Sequence, residues 1–491
     1  MISRTCRLIP SEWAWTPEGE TIPKPGLKSE TALAAALAAT LVLVSLALSL
    51  SYWPGLMTWD SVRQYGQALS GDMDDWHPPL MEWIWRQFTH IKTGPAPMLL
   101  LQLALSGVGY GLLSAWALKR HRPWLAVGLA ACSLMPIAMS LMGVIIKDSL
   151  MAAALLGATG LMAWRGDSRE WPLRLAAVAL IALAAALRFN AVPACAPLLV
   201  ALFGEAARRT PLRLAASTTV AVIALFLVLP VANHLIGAKR SGAELSLMIF
   251  DLGGITEHSG VDVFPPMGVA NPVKVNDDCY RAQRWDTYAP WTADLCPLGF
   301  DPFRAWFARH GGSPALWWIK AVATHPIAYA HHRLAHWNIN TRFLTRTDII
   351  RPVEDRTVPN DWGYQVTPNP LLTAADRLAR YSALTPLGWP CVWMALALGL
   401  LLVCWRLPSR SVILSLALSA LLYGLSYSVL SVASELRYYL WTMIATALAT
   451  VIAAADIVEV RDRLTRRHYC MLVGPPLAVT VICILWRIWP H

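Results

Sequence analysis

Residues 31–52 read TALAAALAATLVLVSLALSLSY, an apolar run without one charged side chain, and shortly after it comes Trp59-Asp60-Ser61. A run of that length spans the hydrocarbon core of a bilayer as a helix. An ionised Asp near hydrocarbon costs a few kcal/mol unless water or a partner stabilises it. Asp60 therefore marks a site, and what decides its meaning is the side of the membrane it faces.

The rest of the chain repeats the pattern. Of 491 residues, 56% are hydrophobic and 15% charged, with a mean hydropathy of +0.45, which excludes a soluble chain of this size. Further apolar segments fall at about 97–117, 124–145, 148–164, 175–187, 191–204, 214–236, 384–404, 411–432, 438–456 and 470–488. The expected fold is an all-α polytopic membrane protein of about eleven transmembrane helices. The net charge of +10 does not indicate nucleic acid, because the basic residues sit mostly between apolar segments, where orientation in the membrane accounts for them.

A cytoplasmic N-terminus carrying Arg4, Arg7, Lys24 and Lys28 puts every second connection inside. Those connections hold Lys119/Arg120/Arg122, Arg165/Arg169/Arg174, Arg208/Arg209/Arg213, Arg406/Arg410 and Arg461/Arg463/Arg466/Arg467. All are basic, as the positive-inside rule requires. Roughly thirty polar residues precede the first span, whose apolar run is longer than a signal-peptide core, so it reads as a retained span. Four regions result: a cytoplasmic tail 1–30, an N-terminal transmembrane module 31–236 with a first outer loop 53–96, an outer (periplasmic) segment 237–383, and a C-terminal transmembrane module 384–491. Of the nine cysteines, Cys279 and Cys296 alone lie in a large outer segment. A disulfide between them closes a loop worth roughly 3 kcal/mol in the chain-entropy model.

Asp60 then faces outward, at the head of a helical stretch reaching about Ser70. Asp72, Asp74 and Asp75 follow in a polar turn and read as solvated, while His77-Pro78-Pro79 shapes the loop over Asp60. Residues 80–85 read as an amphipathic helix at the interface. Three more charged corners share that side: Lys147-Asp148, Arg188-Phe189-Asn190 and Glu435-Leu436-Arg437. Each has a structural reading. Asp148 can cap the fourth span while Lys147 snorkels, Arg188 can anchor a helix end, and Glu435 and Arg437 can pair locally. Read together, they offer carboxylates to accept a hydroxyl proton and cations to meet an anionic group arriving from the lipid.

In the outer segment, Gly253-Gly254 is a turn signal without a nucleotide fingerprint, and about 302–343 reads as one helix. His332 and His336 on it stand at i, i+4. No carboxylate completes a metal set beside them, so an interfacial amphipathic helix is the reading. No internal repeat is visible, and Walker, HExxH and GxSxG patterns are absent.

The order of these motifs resembles the GT-C superfamily of membrane glycosyltransferases, of the protein-mannosyltransferase and aminoarabinose-transferase type. The residues carrying the resemblance are Asp60 after the first span, His77-Pro78-Pro79-Leu80, Lys147-Asp148, Arg188-Phe189-Asn190, and Glu435-Leu436-Arg437-Tyr438, over about 31–456. It implies inverting sugar transfer on the outer face from a polyprenyl-phosphate donor to a lipid, glycan or protein acceptor. It also implies a bacterial inner membrane and a catalytic Asp at Asp60. Asp148 matches the family's second acidic position by location. Lys147, Arg188 and Arg437 are expected phosphate contacts from charge and sidedness, with His77 and Glu435 as loop-shaping or substrate contacts. The paired acid that many members carry after the first span is here Trp59-Asp60-Ser61, without the second acid, which leaves a divalent cation open. The rival readings are a transporter or lipid flippase, or a non-enzymatic envelope-assembly subunit. A transporter should show inverted repeats and broken helices meeting at the midplane.

Overall fold

The computed structural model describes residues 27–165, 170–203, 210–292, 296–346 and 356–489, with the side chains of 27–29 and 165 left out. Arg4, Cys6, Arg7, Lys24, Arg169, Arg208 and Arg209, with the side chains of Lys28 and Arg165, lie outside the described residues.

All eleven apolar segments are helical. The first is α1 (Leu27–Ser51), followed in the first loop by α2 (Trp59–Ser70) and α3 (Leu80–Thr89). Next come α4 (Ala96–Lys119), α5 (Pro123–Ala131), α6 (Pro136–Met142), α7 (Lys147–Arg165), α8 (Trp171–Leu187), α9 (Val192–Leu202), α10 (Pro211–Phe226) and α11 (Val228–Ile236). Among the described residues, six helices are long and apolar enough to cross a membrane unaided, and the 123–134 and 136–142 pair, bent by 57°, makes a seventh if it is one span. Pro136 accounts for the bend, since its ring cannot continue the ladder of the preceding turn. At 1.5 Å per residue, the eleven residues of α9 reach only about half of the hydrocarbon core.

Between the two sets of spans lies a cap with its own core: α12 (Glu244–Ser259), α13 (Pro272–Cys279), α14 (Phe300–His310), α15 (Pro314–Thr324) and α16 (Pro326–Thr341). α17 (Pro370–Leu384) returns along α6, and α18 (Pro390–Val403), α19 (Arg410–Leu430), α20 (Leu440–Val460) and α21 (Arg466–Ile488) complete the bundle. α20 is buried along most of its length, whereas Leu43 and Leu50 of α1, Leu235 of α11 and Ile488 of α21 are exposed, as lipid-facing rim positions should be.

The expected Cys279–Cys296 disulfide is present in the cap. Other expectations there are corrected. The stretch 302–343 is three helices, because Gly311-Gly312, Pro314 and Pro326 interrupt it. Gly253 and Gly254 lie inside α12 and form no turn. A Cβ on Gly253 would stand 2.3 Å from the Tyr288 hydroxyl, and one on Gly254 would stand 2.1 Å from the His332 ring. His332 and His336 are buried in the cap core, not spread on an interface. A carboxylate distant in sequence explains this: Asp251 pairs with Arg333 Nη2 at 2.5 Å and His332 Nε2 at 3.2 Å, and accepts from Trp318 Nε1 at 2.8 Å. Tyr280 Oη completes the chain at 2.9 Å from His332 Nδ1.

Candidate active site

Two residues of extended backbone set the site. Leu56–Met57 runs parallel to Val144–Ile145, with Leu56 opposite Val144 and Met57 opposite Ile145. Gln102 of α4 fixes the second strand by donating to the carbonyls of Met142 at 2.6 Å and Val144 at 2.9 Å. Thr58 caps α2 through a box with Ser61, and the Ser61 hydroxyl also donates to the Ile145 carbonyl. These contacts put Asp60 in the first turn of α2, where the helix dipole favours an anion, and beside Lys147, two residues past Ile145.

The acidic turn after α2 is not simply solvated. Asp74 pairs with Arg63 at 2.5 Å, Asp72 with Lys239 at 2.5 Å, and Asp75 accepts from Ser241 N at 2.6 Å and Ser241 Oγ at 2.7 Å. It clips the first loop to the chain entering the cap. That clip brings His77 back over Asp60, so His77 contacts the site as well as shaping the loop.

Around Asp60 the charges interlock. Arg437 Nη2 stands 3.1 Å from Asp60 Oδ2, while Arg437 Nε donates to Glu435 Oε2. Lys147 Nζ lies 2.5 Å from His77 Nδ1, and His77 Nε2 approaches Asp60 Oδ1 to 3.6 Å. An ammonium has only protons to offer, so Nδ1 accepts and the imidazole proton sits on Nε2, facing Asp60. Burial and Lys147 push the His77 pKa down to about 3, which keeps the ring neutral. Burial alone would raise Asp60, but Arg437, His77 and Lys147 outweigh it and hold its carboxyl well below the usual carboxylate range. Glu435 moves up, because burial outweighs Arg437. Asp60 keeps 27% of its side chain exposed and Glu435 keeps 42%, so both carboxylates are reachable.

Asp148 and Arg188 form a second ion pair at the same corner, and Arg188 Nε donates to Asn190 Oδ1 at 3.2 Å. The Arg188 and Arg437 guanidinium carbons lie 4.8 and 5.7 Å from the Tyr438 ring centroid, and Tyr438 stacks on Tyr427. Tyr423, Tyr427 and Tyr438 were missed as site residues. Their only sequence signal is the i, i+4 pair of tyrosines in an apolar span and the tyrosine next to Arg437. Arg437 Nη1 and Asp148 Oδ2 are buried without a hydrogen-bond partner among the described residues. All seven expected polar positions thus gather at the capped end of the bundle.

A groove of about 450 Å³ opens nearby, lined by Leu80, by Ala179, Ala182, Leu183 and Ala186 of α8, and by apolar residues of α10 and α11. Leu80 follows His77-Pro78-Pro79, and Ala186 lies two residues before Arg188. A divalent cation does not fit the donor set. Asp60 is surrounded by cations and a neutral imidazole, the position of a second acid is the buried Ser61, and among the described residues no group of three His, Cys, Asp or Glu could hold a metal.

No family model matches the chain, and no curated protein matches it. Among solved structures it is similar to ArnT from Cupriavidus metallidurans bound to undecaprenyl phosphate, with 14% identity and a TM-score of 0.28 over 92% of this chain and 86% of that one. It is also similar to the Archaeoglobus fulgidus oligosaccharyltransferase tethered to an acceptor peptide containing the NVT sequon. There the identity is 13% and the TM-score 0.29, over 93% of this chain and 56% of that one. Likeness of that degree carries no argument about chemistry, and function rests on the residues themselves.

Proposed function

We propose that the chain is a membrane glycosyltransferase that moves a sugar from a polyprenyl-phosphate donor to an envelope acceptor on the outer, periplasmic face of a bacterial inner membrane. The observation that carries this reading is the convergence of Arg437, His77 and Lys147 on Asp60 beside an apolar groove between helices. In this mechanism the polyprenyl chain lies in the groove and its phosphate meets Arg437, with Lys147 or Arg188. Asp60 takes the acceptor's hydroxyl proton as the oxygen attacks the anomeric carbon with inversion. The bond to phosphate breaks, and the leaving oxygen carries its electron pair onto a phosphate held by guanidinium and ammonium groups.

An Asp held far below its usual range is a weak base. The phosphate supplies the remedy, because an anion engaging Arg437 weakens that residue's hold on Asp60 and raises the carboxylate's basicity once the donor is in place. Asp148, buried against Arg188, serves here as the counter-ion that keeps the guanidinium aimed, not as a second base. Exposed Trp291, edge-on to Trp76 next to His77, offers the acceptor a ring to rest on.

The test compares envelope glycolipids and glycoproteins by mass spectrometry in a deletion strain complemented with wild type, Asp60→Asn or Arg437→Ala. General-base assistance is typically worth about 10²–10⁴ in rate. Species lost on deletion should therefore return with wild type and stay depleted with Asp60→Asn at equal membrane levels. Full restoration by Asp60→Asn would remove Asp60 from the mechanism, and wild-type donor kinetics in purified Arg437→Ala would remove the phosphate role.

A further inference from the structure

Two cysteines outside the site meet at the capped end of the bundle. Cys391 is the second residue of α18, Cys483 lies near the end of α21, and their sulfurs are 3.7 Å apart. That is van der Waals contact. A disulfide requires about 2.05 Å, so the two sulfurs stand less than 2 Å short of bonding distance. α21 is a rim helix, and Cys483 is its one buried residue. Val473, Leu477, Ile484 and Leu485 of this helix are exposed on its outer face, and Cys483 turns inward onto Cys391.

Contacts place the pair on the same side of the bundle as the cap. Arg342, which ends α16 of the cap, offers its carbonyl to Arg487 Nη2 at 2.7 Å and to Cys391 Sγ at 3.9 Å. Arg487 also donates to Phe343 O at 3.1 Å and to Cys483 O at 3.0 Å, with its guanidinium 4.0 Å from the Trp389 ring. The cysteine pair is thus directly under the cap, which itself contains the Cys279–Cys296 disulfide. Thiols on that side meet the same oxidising surroundings.

We propose that Cys391 and Cys483 form a second disulfide that staples α21 to α18 beneath the cap. The oxidant is an oxidised thiol–disulfide oxidoreductase of that compartment. Partly exposed Cys391 attacks one sulfur of the oxidant's disulfide, losing its thiol proton as it does so, and releases the other sulfur as a thiolate. Buried Cys483 then attacks the Cys391 sulfur of the mixed disulfide. The Cys391–Cys483 bond forms, the oxidant leaves as a dithiol, and two electrons and two protons pass from this protein's thiols to it. The staple locks a rim helix onto the neighbour it packs against, where Gly399 of α18 admits the Leu472 backbone of α21.

The experiment uses the full-length protein in membranes prepared without reductant. The sample is acid-quenched, denatured in SDS with maleimide present, and digested for mass spectrometry. Exposed Cys470 reports complete labelling and the linked Cys279–Cys296 peptide reports preserved oxidation. The expected result is a linked Cys391–Cys483 peptide, loss of maleimide on both residues, and recovery of label after reduction. In Cys391→Ser, Cys483 should gain label without reductant. Maleimide on both Cys391 and Cys483 equal to that on Cys470, in a sample where Cys279–Cys296 is linked and after incubation with oxidised glutathione, would overturn the proposal.

Discussion

Glu82 shows what burial does to a single carboxyl near this site. It lies on α3, fully buried, with Gln64 of α2 as its side-chain neighbour. Loss of solvent pushes its pKa up to about 8, against the opposing pull of Gln64 and Lys147. The folded protein therefore holds a proton there that the unfolded chain gives up near its ordinary pKa of about 4.3. Between those two values the native state binds more protons, so this group's contribution to stability falls as pH rises and levels off above about 8. Glu82→Gln removes that slope. Its thermal midpoint relative to wild type should climb from pH 5 to pH 8 in detergent, and a pH-independent difference would contradict the reading. Asp60, by contrast, was legible without any structure, because an acid at a span boundary needs a reason. Asp72 stays exposed as its polar turn suggests, whereas Asp74 and Asp75 are half-buried against Arg63 and Ser241, and Ser241 is distant in sequence.

At the scale of elements, the corner that carries Glu435 and Arg437 hangs from the cap. Arg333 Nη1 donates to the Ser431 carbonyl at 2.7 Å, Asn340 Nδ2 to the Ser431 hydroxyl at 3.0 Å, and Trp285 N to the Val432 carbonyl at 2.9 Å. Arg333 is also the counter-ion of Asp251, whose carboxyl burial would raise but which Arg333 and His332 hold low. Removing one partner of a buried ion pair costs about 3–5 kcal/mol, because the other is left uncompensated. Arg333→Gln should therefore destabilise the cap by that amount in denaturant unfolding. Asp251→Asn together with Arg333→Gln should recover part of it, and equal losses in the single and double variants would show that the pair is not the source. None of this was visible in sequence. His332 and His336 gave a helical spacing, but nothing local announced that Asp251 would reach them.

For the whole molecule, the proposed mechanism assigns the positive charge that a leaving phosphate needs to three cations from three different corners. Chelation with EDTA should accordingly leave sugar transfer by the purified protein unchanged. A loss of activity restored by Mg²⁺ would show that Lys147, Arg188 and Arg437 are not sufficient. The sequence by itself determined the class of protein, its apolar helices, the shared side of the charged corners and the pairing of Cys279 with Cys296. Those properties depend on local quantities: apolar run length, the cost of charge in hydrocarbon, and the basic residues between spans. Only the tertiary structure decided which corners touch. Asp60 meets Lys147 through His77 because a two-residue parallel pairing joins 56–57 to 144–145, and Arg437 reaches Asp60 because the cap holds Ser431 and Val432 in place. Contacts between residues hundreds of positions apart depend on packing, and hydropathy along the chain does not encode them.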